Sequence, residues 1–332
     1  MSVALDVVFF EPAPIAERRA EKFCDITVLL PPGFTLQSGE ILSRPEVALR
    51  IHGEEDAPAI LVSGGISSGR SVADAGNERG WWRDVVSAGG AIDLARFRVI
   101  GADFLPNPGE TARTISTGDQ ARALAFALDA IGVARLHAFV GASYGGMLGL
   151  AFAEAFPTRL DKLCVISAAD RPHPSATALR GIQRRIIDLA TRAGNAAEGL
   201  SLARQLAMTT YRTPEEFAAR FAHRPGGAAG DPYAVCEYLI ARGDAYQMVP
   251  ERYVTLSDSI DRHAVNACAI ATPALFVAVD SDRLVPSEHI RLLAAKAAHA
   301  DYVEIASLYG HDAFLKEPGV IGPIIRSFIE EC

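Results

Sequence analysis

The sequence predicts an α/β protein: a mostly parallel eight-stranded sheet with a helical lid insertion. Three observations carry this reading. Short apolar runs bounded by turn residues alternate with stretches of helical period. The alternation stops over residues 171–265, which become helical and rich in Ala and Arg, and it then resumes. The 332 residues are 49% hydrophobic and 22% charged, with a mean hydropathy of +0.16, so the chain can bury a large core.

Taken in order, the expected strands are Asp25–Leu30, Glu46–Ile51, Pro58–Ser63, Phe97–Asp103, Leu136–Gly141, Lys162–Ser167, Pro273–Asp280 and Asp301–Ile305. Helical patterns cover Asp119–Ile131, Tyr144–Phe156, Ser287–Ala298 and Glu317–Ile329. The insertion leaves after the sixth strand and returns before the seventh, with loops at Pro225–Gly230 and Val249–Pro250. That position puts it over the carboxyl edge of the sheet, where open α/β folds hold their ligands. Three segments result: core over 1–170, lid over 171–265 and core again over 266–332. The sequence shows no internal repeat and no low-complexity stretch.

Charge and composition exclude several function classes. Thirty-two Lys and Arg against 40 Asp and Glu give a net charge of -8, which offers duplex nucleic acid no electrostatic footprint. No window approaches 18 uninterrupted apolar residues, so no membrane span is expected. The apolar run near the N-terminus is broken by Glu11 and two prolines and has no basic residue before it, so it does not read as a signal peptide. Cytoplasmic localisation is the expectation. Cys24, Cys164, Cys236, Cys268 and Cys332 are odd in number and lack C-x-x-C spacing, which suggests free, buried thiols. No His, Asp or Glu cluster has metal-ligand spacing, so no metal is implied.

The strongest local signal is Gly141-Ala142-Ser143-Tyr144-Gly145-Gly146, between the apolar run Leu136–Val140 and the amphipathic run Met147–Phe156. It is G-x-S-x-G in a strand–turn–helix context. A serine on so sharp a turn needs glycine two residues before and two after, because any Cβ there would meet neighbouring backbone. The turn exposes Oγ and sets Ser143 at a helix N-terminus, where the Tyr144 N–H faces a forming oxyanion.

Serine is a poor nucleophile until a base takes its proton, and in this arrangement the acid and the histidine follow it in the chain. Asp280 and Asp282, in the loop after Pro273–Val279, both qualify by position as the acid. Of eight histidines, only His311 lies in a loop after a late strand. His52, His137 and His299 sit at element ends or surfaces, His173 and His223 in proline-containing loops, and His263 and His289 in helical segments. The second oxyanion donor should come from the loop Ser63-Gly64-Gly65-Ile66-Ser67-Ser68-Gly69-Arg70, through the backbone N–H of Ile66. That loop lacks the Gly-Lys-Ser/Thr ending of a phosphate-binding loop.

Together these motifs resemble the homoserine O-acyltransferase family of α/β-hydrolase fold. Gly80-Trp81-Trp82, Gly141 to Met147, Ala203 to Met208, Thr210-Tyr211-Arg212, Glu237-Tyr238-Leu239, Ser281 to Pro286 and Gly310-His311-Asp312-Ala313-Phe314-Leu315 carry the resemblance. It implies that Ser143 is the nucleophile, Asp282 the acid and His311 the base. It also implies that Arg212 and Asp312 bind the amino-acid acceptor, a zwitterion whose carboxylate suits a guanidinium and whose ammonium suits a carboxylate. The loop after the fourth strand departs from the family pattern and reads Asp103 to Glu110. Gly64-Gly65-Ile66-Ser67 and Ser257-Asp258-Ser259-Ile260-Asp261-Arg262-His263 resemble the succinyl-transferring subgroup, which implies succinyl-CoA as donor. A succinyl carboxylate then needs a pocket arginine, and Arg70 is the candidate by its closeness to the oxyanion loop.

The expected reaction is ping-pong transfer from a coenzyme A thioester, a co-substrate with no other cofactor, to L-homoserine. The resemblance implies a homodimer. Acetyl-CoA as donor, L-serine as acceptor and a triad esterase or thioesterase stay open alternatives.

Overall fold

The computed structural model describes residues 23–221 and 233–331. The N-terminal apolar run, the expected loop at Pro225–Gly230, His223 and Cys332 lie outside the described residues. Eight strands form one sheet: β1 (Phe23–Leu29), β2 (Glu46–His52), β3 (Ala59–Ser63), β6 (Arg98–Ala102), β7 (Ala138–Ala142), β8 (Leu163–Ile166), β9 (Ala274–Val279) and β10 (Ala300–Ile305). Their order is β1-β2-β6-β3-β7-β8-β9-β10. β1 and β2 pair antiparallel, β2 meets β6 antiparallel, and every later pair is parallel. Each expected strand falls on one of these eight, within a residue or two at its ends. A further parallel pair, β4 (Val86–Ser87) with β5 (Ile92–Asp93), is too short to leave a period in the sequence.

The sheet is covered on both sides, which is why its central strands are apolar without alternation. Leu61, Phe139, Val165 and Phe276 face one core with α1 (Thr117–Ala130), α2 (Tyr144–Ala155) and α8 (Ser287–Ala294). Their neighbours Ile60, Val140, Ile166 and Val277 face the other, with Trp82, Ile92 and α10 (Pro318–Glu330). Helix α1 starts at a capping box, in which Ser116 and Asp119 satisfy each other's backbone N–H groups. Helix α8 ends at Ala294, four residues before the expected Ala298, because the His299 carbonyl already accepts the Ala274 N–H as β10 begins.

Between β8 and β9 lie α3 (Pro174–Arg192), α4 (Ala196–Tyr211), α5 (Pro214–Arg220), α6 (Ala234–Asp244) and α7 (Pro250–Asp261). After β10 comes the short α9 (Ala313–Lys316). No helix among the described residues is long and apolar enough to cross a membrane. The expectation of buried thiols holds for Cys164 alone among the described cysteines; Cys24, Cys236 and Cys268 are free but exposed, since β1 is a sheet edge and the other two lie on the surface of α6 and in the 3-10 turn Ala267–Ala269 before β9.

Candidate active site

All parallel strands end on the same side, so the residues that follow them converge. Ser143 follows β7, Asp282 follows β9, His311 follows β10 and the Gly64–Arg70 loop follows β3. Ser143 holds φ 55 and ψ -123, one of two non-glycine residues at positive φ among those described. Such a conformation costs on the order of 1–3 kcal/mol and persists only where the surroundings enforce it. Here they do: a Cβ on Gly145 would stand 2.3 Å from the Ser63 carbonyl group, and one on Gly141 2.3 Å from the Gly145 oxygen. The Gly145 N–H donates to Gly64 O at 2.7 Å, tying the serine turn to the neighbouring loop.

The hydrogen bonds of the candidate triad are in register. Ser143 Oγ lies 2.8 Å from His311 Nε2, and His311 Nδ1 lies 2.7 Å from Asp282 Oδ2. The other carboxylate oxygen, Asp282 Oδ1, accepts the backbone N–H groups of Leu284 at 2.9 Å and Val285 at 3.0 Å. Those bonds fix which oxygen meets the imidazole. Asp280, the other candidate by position, is exposed and accepts from the Ser307 N–H instead. His52 and His263 are buried and pushed down by burial to about 4, so neither is poised as a base near neutral pH. Neither the Tyr144 nor the Ile66 N–H has an acceptor among the described residues, and both residues line the cavity above Ser143.

Burial disfavours the His311 imidazolium, but the Asp282 carboxylate, joined more weakly by Asp312, outweighs it and holds the pKa above the ordinary histidine value. A histidine base works only when neutral, so with His311 in that role kcat/KM is expected to fall as pH drops through a value above about 6.5. A pH profile of CoA release checks this; an acid limb centred well below 6 would contradict it.

The cavity measures about 370 Å³ and is lined by Ser143, His311, Ile66 and Asp312 from the core loops and by Arg212 and residues of α3, α4, α6 and α7 from the insertion. The insertion therefore supplies part of the cavity wall. Arg212 follows α4; its Nε donates to Asp312 Oδ2 and its Nη1 to Glu216 Oε1, both at 2.7 Å. Gly310, at φ 57, lets this segment approach: a Cβ there would stand 3.0 Å from Tyr211 O. The resulting pair presents a positive beside a negative group to the cavity.

Arg70 is not brought to the cavity. β6 lies next to β3, so Asp103, just past β6, captures the Arg70 guanidinium and accepts its backbone N–H at 2.8 Å; Asp25 stands 3.7 Å from its Nε. Its role is to fasten the loop that carries Ile66. Sequence reasoning also missed residues that do line the cavity: Ser167, whose buried hydroxyl at the end of β8 has no partner among the described residues, and the cations Arg180, Arg204, Arg242 and Lys316. An arginine-rich insertion was visible, but which arginine faces inward depends on the rotation of each helix. Among the described residues no three His, Cys, Asp or Glu side chains are placed to hold a metal ion.

Comparison with known proteins places this geometry. Residues 58–318 match the family described as alpha/beta hydrolase fold. A homoserine O-succinyltransferase of Xanthomonas campestris is 43% identical over 281 residues, 83% of this chain and 76% of that protein. A homoserine O-acetyltransferase of Deinococcus radiodurans is 33% identical over 89% of each chain. Among solved structures, a homoserine O-acetyltransferase from Staphylococcus aureus superposes with TM-score 0.81 at 22% identity, over 93% of this chain and 96% of that one. Esterase E22 superposes with TM-score 0.83 at 18% identity, over 93% and 100%, a likeness of fold alone. With its serine turn, the hydrogen-bonded Ser143, His311 and Asp282 and these relatives, the chain belongs to the homoserine O-acyltransferase family of the alpha/beta-hydrolase fold.

Proposed function

We propose that the protein transfers a succinyl group from succinyl-CoA to the hydroxyl of L-homoserine through an acyl-serine intermediate. The observation that carries this reading is one cavity lined by Ser143, His311, Arg212 and Asp312 together. The named Xanthomonas succinyltransferase supports the choice of donor.

In the first half, Ser143 Oγ attacks the thioester carbon and passes its proton to His311 Nε2. The Tyr144 and Ile66 N–H groups take the charge that develops on the acyl oxygen. The carbon–sulfur bond breaks, the leaving thiolate receives the proton from His311, and the acyl group stays on Ser143. In the second half, Arg212 and Asp312 align homoserine, His311 takes its hydroxyl proton, and the alkoxide displaces Ser143, which recovers the proton. Asp282 accepts the His311 Nδ1–H and holds the imidazole in the useful tautomer. The insertion narrows the approach of water, which would otherwise hydrolyse the ester.

The acceptor assignment has its own test. Arg212→Lys keeps a charge between Asp312 and Glu216 but loses the guanidinium fork, so kcat/KM for L-homoserine is expected to fall about 100-fold. Acylation of Ser143 in the absence of acceptor should persist. Unchanged kcat/KM for homoserine would contradict the assignment.

The proposed partner is a second copy of the chain, supported by the exposed apolar residues Ile182 and Leu189 on α3 and Leu202 on α4. No cofactor beyond the coenzyme A co-substrate is proposed. A cytoplasmic setting suits the free thiols and the acidic net charge.

A further inference from the structure

Five cationic side chains line the cavity, and four have evident occupations. Arg212 is shared by Asp312 and Glu216. Arg204 stacks over the rings of Tyr211, 5.3 Å away, and Tyr246, 4.6 Å away. Arg242 and Lys316 are exposed at the rim, where the phosphates of a large thioester would pass. Arg180 differs from all of these.

Arg180 lies on α3 with its side chain only 13% exposed. Its Nε and Nη2 donate to the same oxygen, Asp261 Oδ1, at 2.8 and 2.6 Å. The other oxygen, Asp261 Oδ2, accepts from Arg184 Nη1 at 2.7 Å. One carboxylate therefore serves two guanidinium groups and leaves one positive charge uncompensated beside the cavity. Arg180 Nη1 has no acceptor among the described residues, and Arg180 is close enough to the triad for its charge to act against protonation of His311. A largely buried cation with a free donor edge facing a cavity offers a ready partner to an anionic group that enters it. The segment that clamps it, Ser257 to His263, is the one that resembles the succinyl-transferring subgroup: Asp261 holds both arginines and Ser257 accepts from Arg184 at 2.9 Å.

We propose that Arg180, positioned by Asp261, pairs with the terminal carboxylate of the donor's acyl group and so selects a dicarboxylic acyl chain. This rests on succinyl-CoA being the donor. Arg212 already serves the acceptor, and the guanidinium fork suits a carboxylate better than a thioester oxygen.

The test compares kcat/KM for succinyl-CoA with that for butyryl-CoA, an uncharged chain of the same length, in the wild type, Arg180→Met, Arg180→Lys and Asp261→Asn. Labelling of Ser143 by a serine-directed fluorophosphonate reports the folded site. The succinyl-to-butyryl ratio is expected to fall about 100-fold in Arg180→Met, chiefly through KM. Partial recovery is expected in Arg180→Lys, and a loss of about 10-fold in Asp261→Asn. A labelled Arg180→Met with the wild-type ratio would overturn the assignment and leave the donor reading standing. If Arg180→Met fails to label, an unchanged ratio in both Arg180→Lys and Asp261→Asn overturns it equally. A wild type that uses butyryl-CoA as well as succinyl-CoA would instead remove the donor reading, and this assignment with it.

Discussion

Ser143→Ala is expected to lower acyl transfer by at least about 10⁴-fold. The loss follows from the chemistry of the covalent intermediate: without Oγ the thioester carbon has no nucleophile at the one point where His311 Nε2 can take a proton. The oxyanion donors Tyr144 and Ile66 survive, because both are backbone groups, and they sustain the residual rate. Alanine bears the positive φ of 55 no better and no worse than serine, so stability should change little. Assay of CoA release with L-homoserine, beside a thermal melt, checks both statements. Retention of more than a tenth of the activity would remove Ser143 from the chemistry.

Asp282→Asn is expected to cost about as much, on the order of 10⁴-fold in kcat near neutral pH, for a different reason. The Leu284 and Val285 N–H groups would keep the asparagine oxygen, turning its NH₂ toward His311 Nδ1. The imidazole would then carry its proton on Nε2 and could not accept one from Ser143. Losing the carboxylate also removes the main attraction that holds the His311 pKa up, so the acid limb should move to lower pH as kcat falls. A loss of rate with no movement of that limb would mean that Asp282 acts by packing alone.

The sheet was legible because each strand is a compact apolar run, and the hydrogen-bonded array of Ser143, His311 and Asp282 because its members follow strand ends in a fixed chain order. What stayed hidden depended on neighbours distant in sequence. Arg70 lies beside the oxyanion loop in the chain, but β6 sits against β3 and brings Asp103 to it, so the side chain turns outward. Asp280 and Asp282 could not be separated by position; the Leu284 and Val285 N–H groups turn Asp282 inward. Arg180 is one of several arginines on a mostly surface helix, and only its clamp on Asp261, 81 residues away, marks it out. Arg212 and Asp312, 100 residues apart, are expected from the resemblance to bind opposite ends of one ligand; the structure shows them bound to each other, and under the proposed function a zwitterion would meet a preformed pair of opposite charge.

The most direct measurement is CoA release by the purified protein from succinyl-CoA, with and without L-homoserine, with mass detection of the product. An acceptor-dependent release that yields O-succinyl-homoserine is the expected result. Release at the same rate whether or not L-homoserine is present, yielding free succinate, would show the triad serving water and would contradict the transferase account.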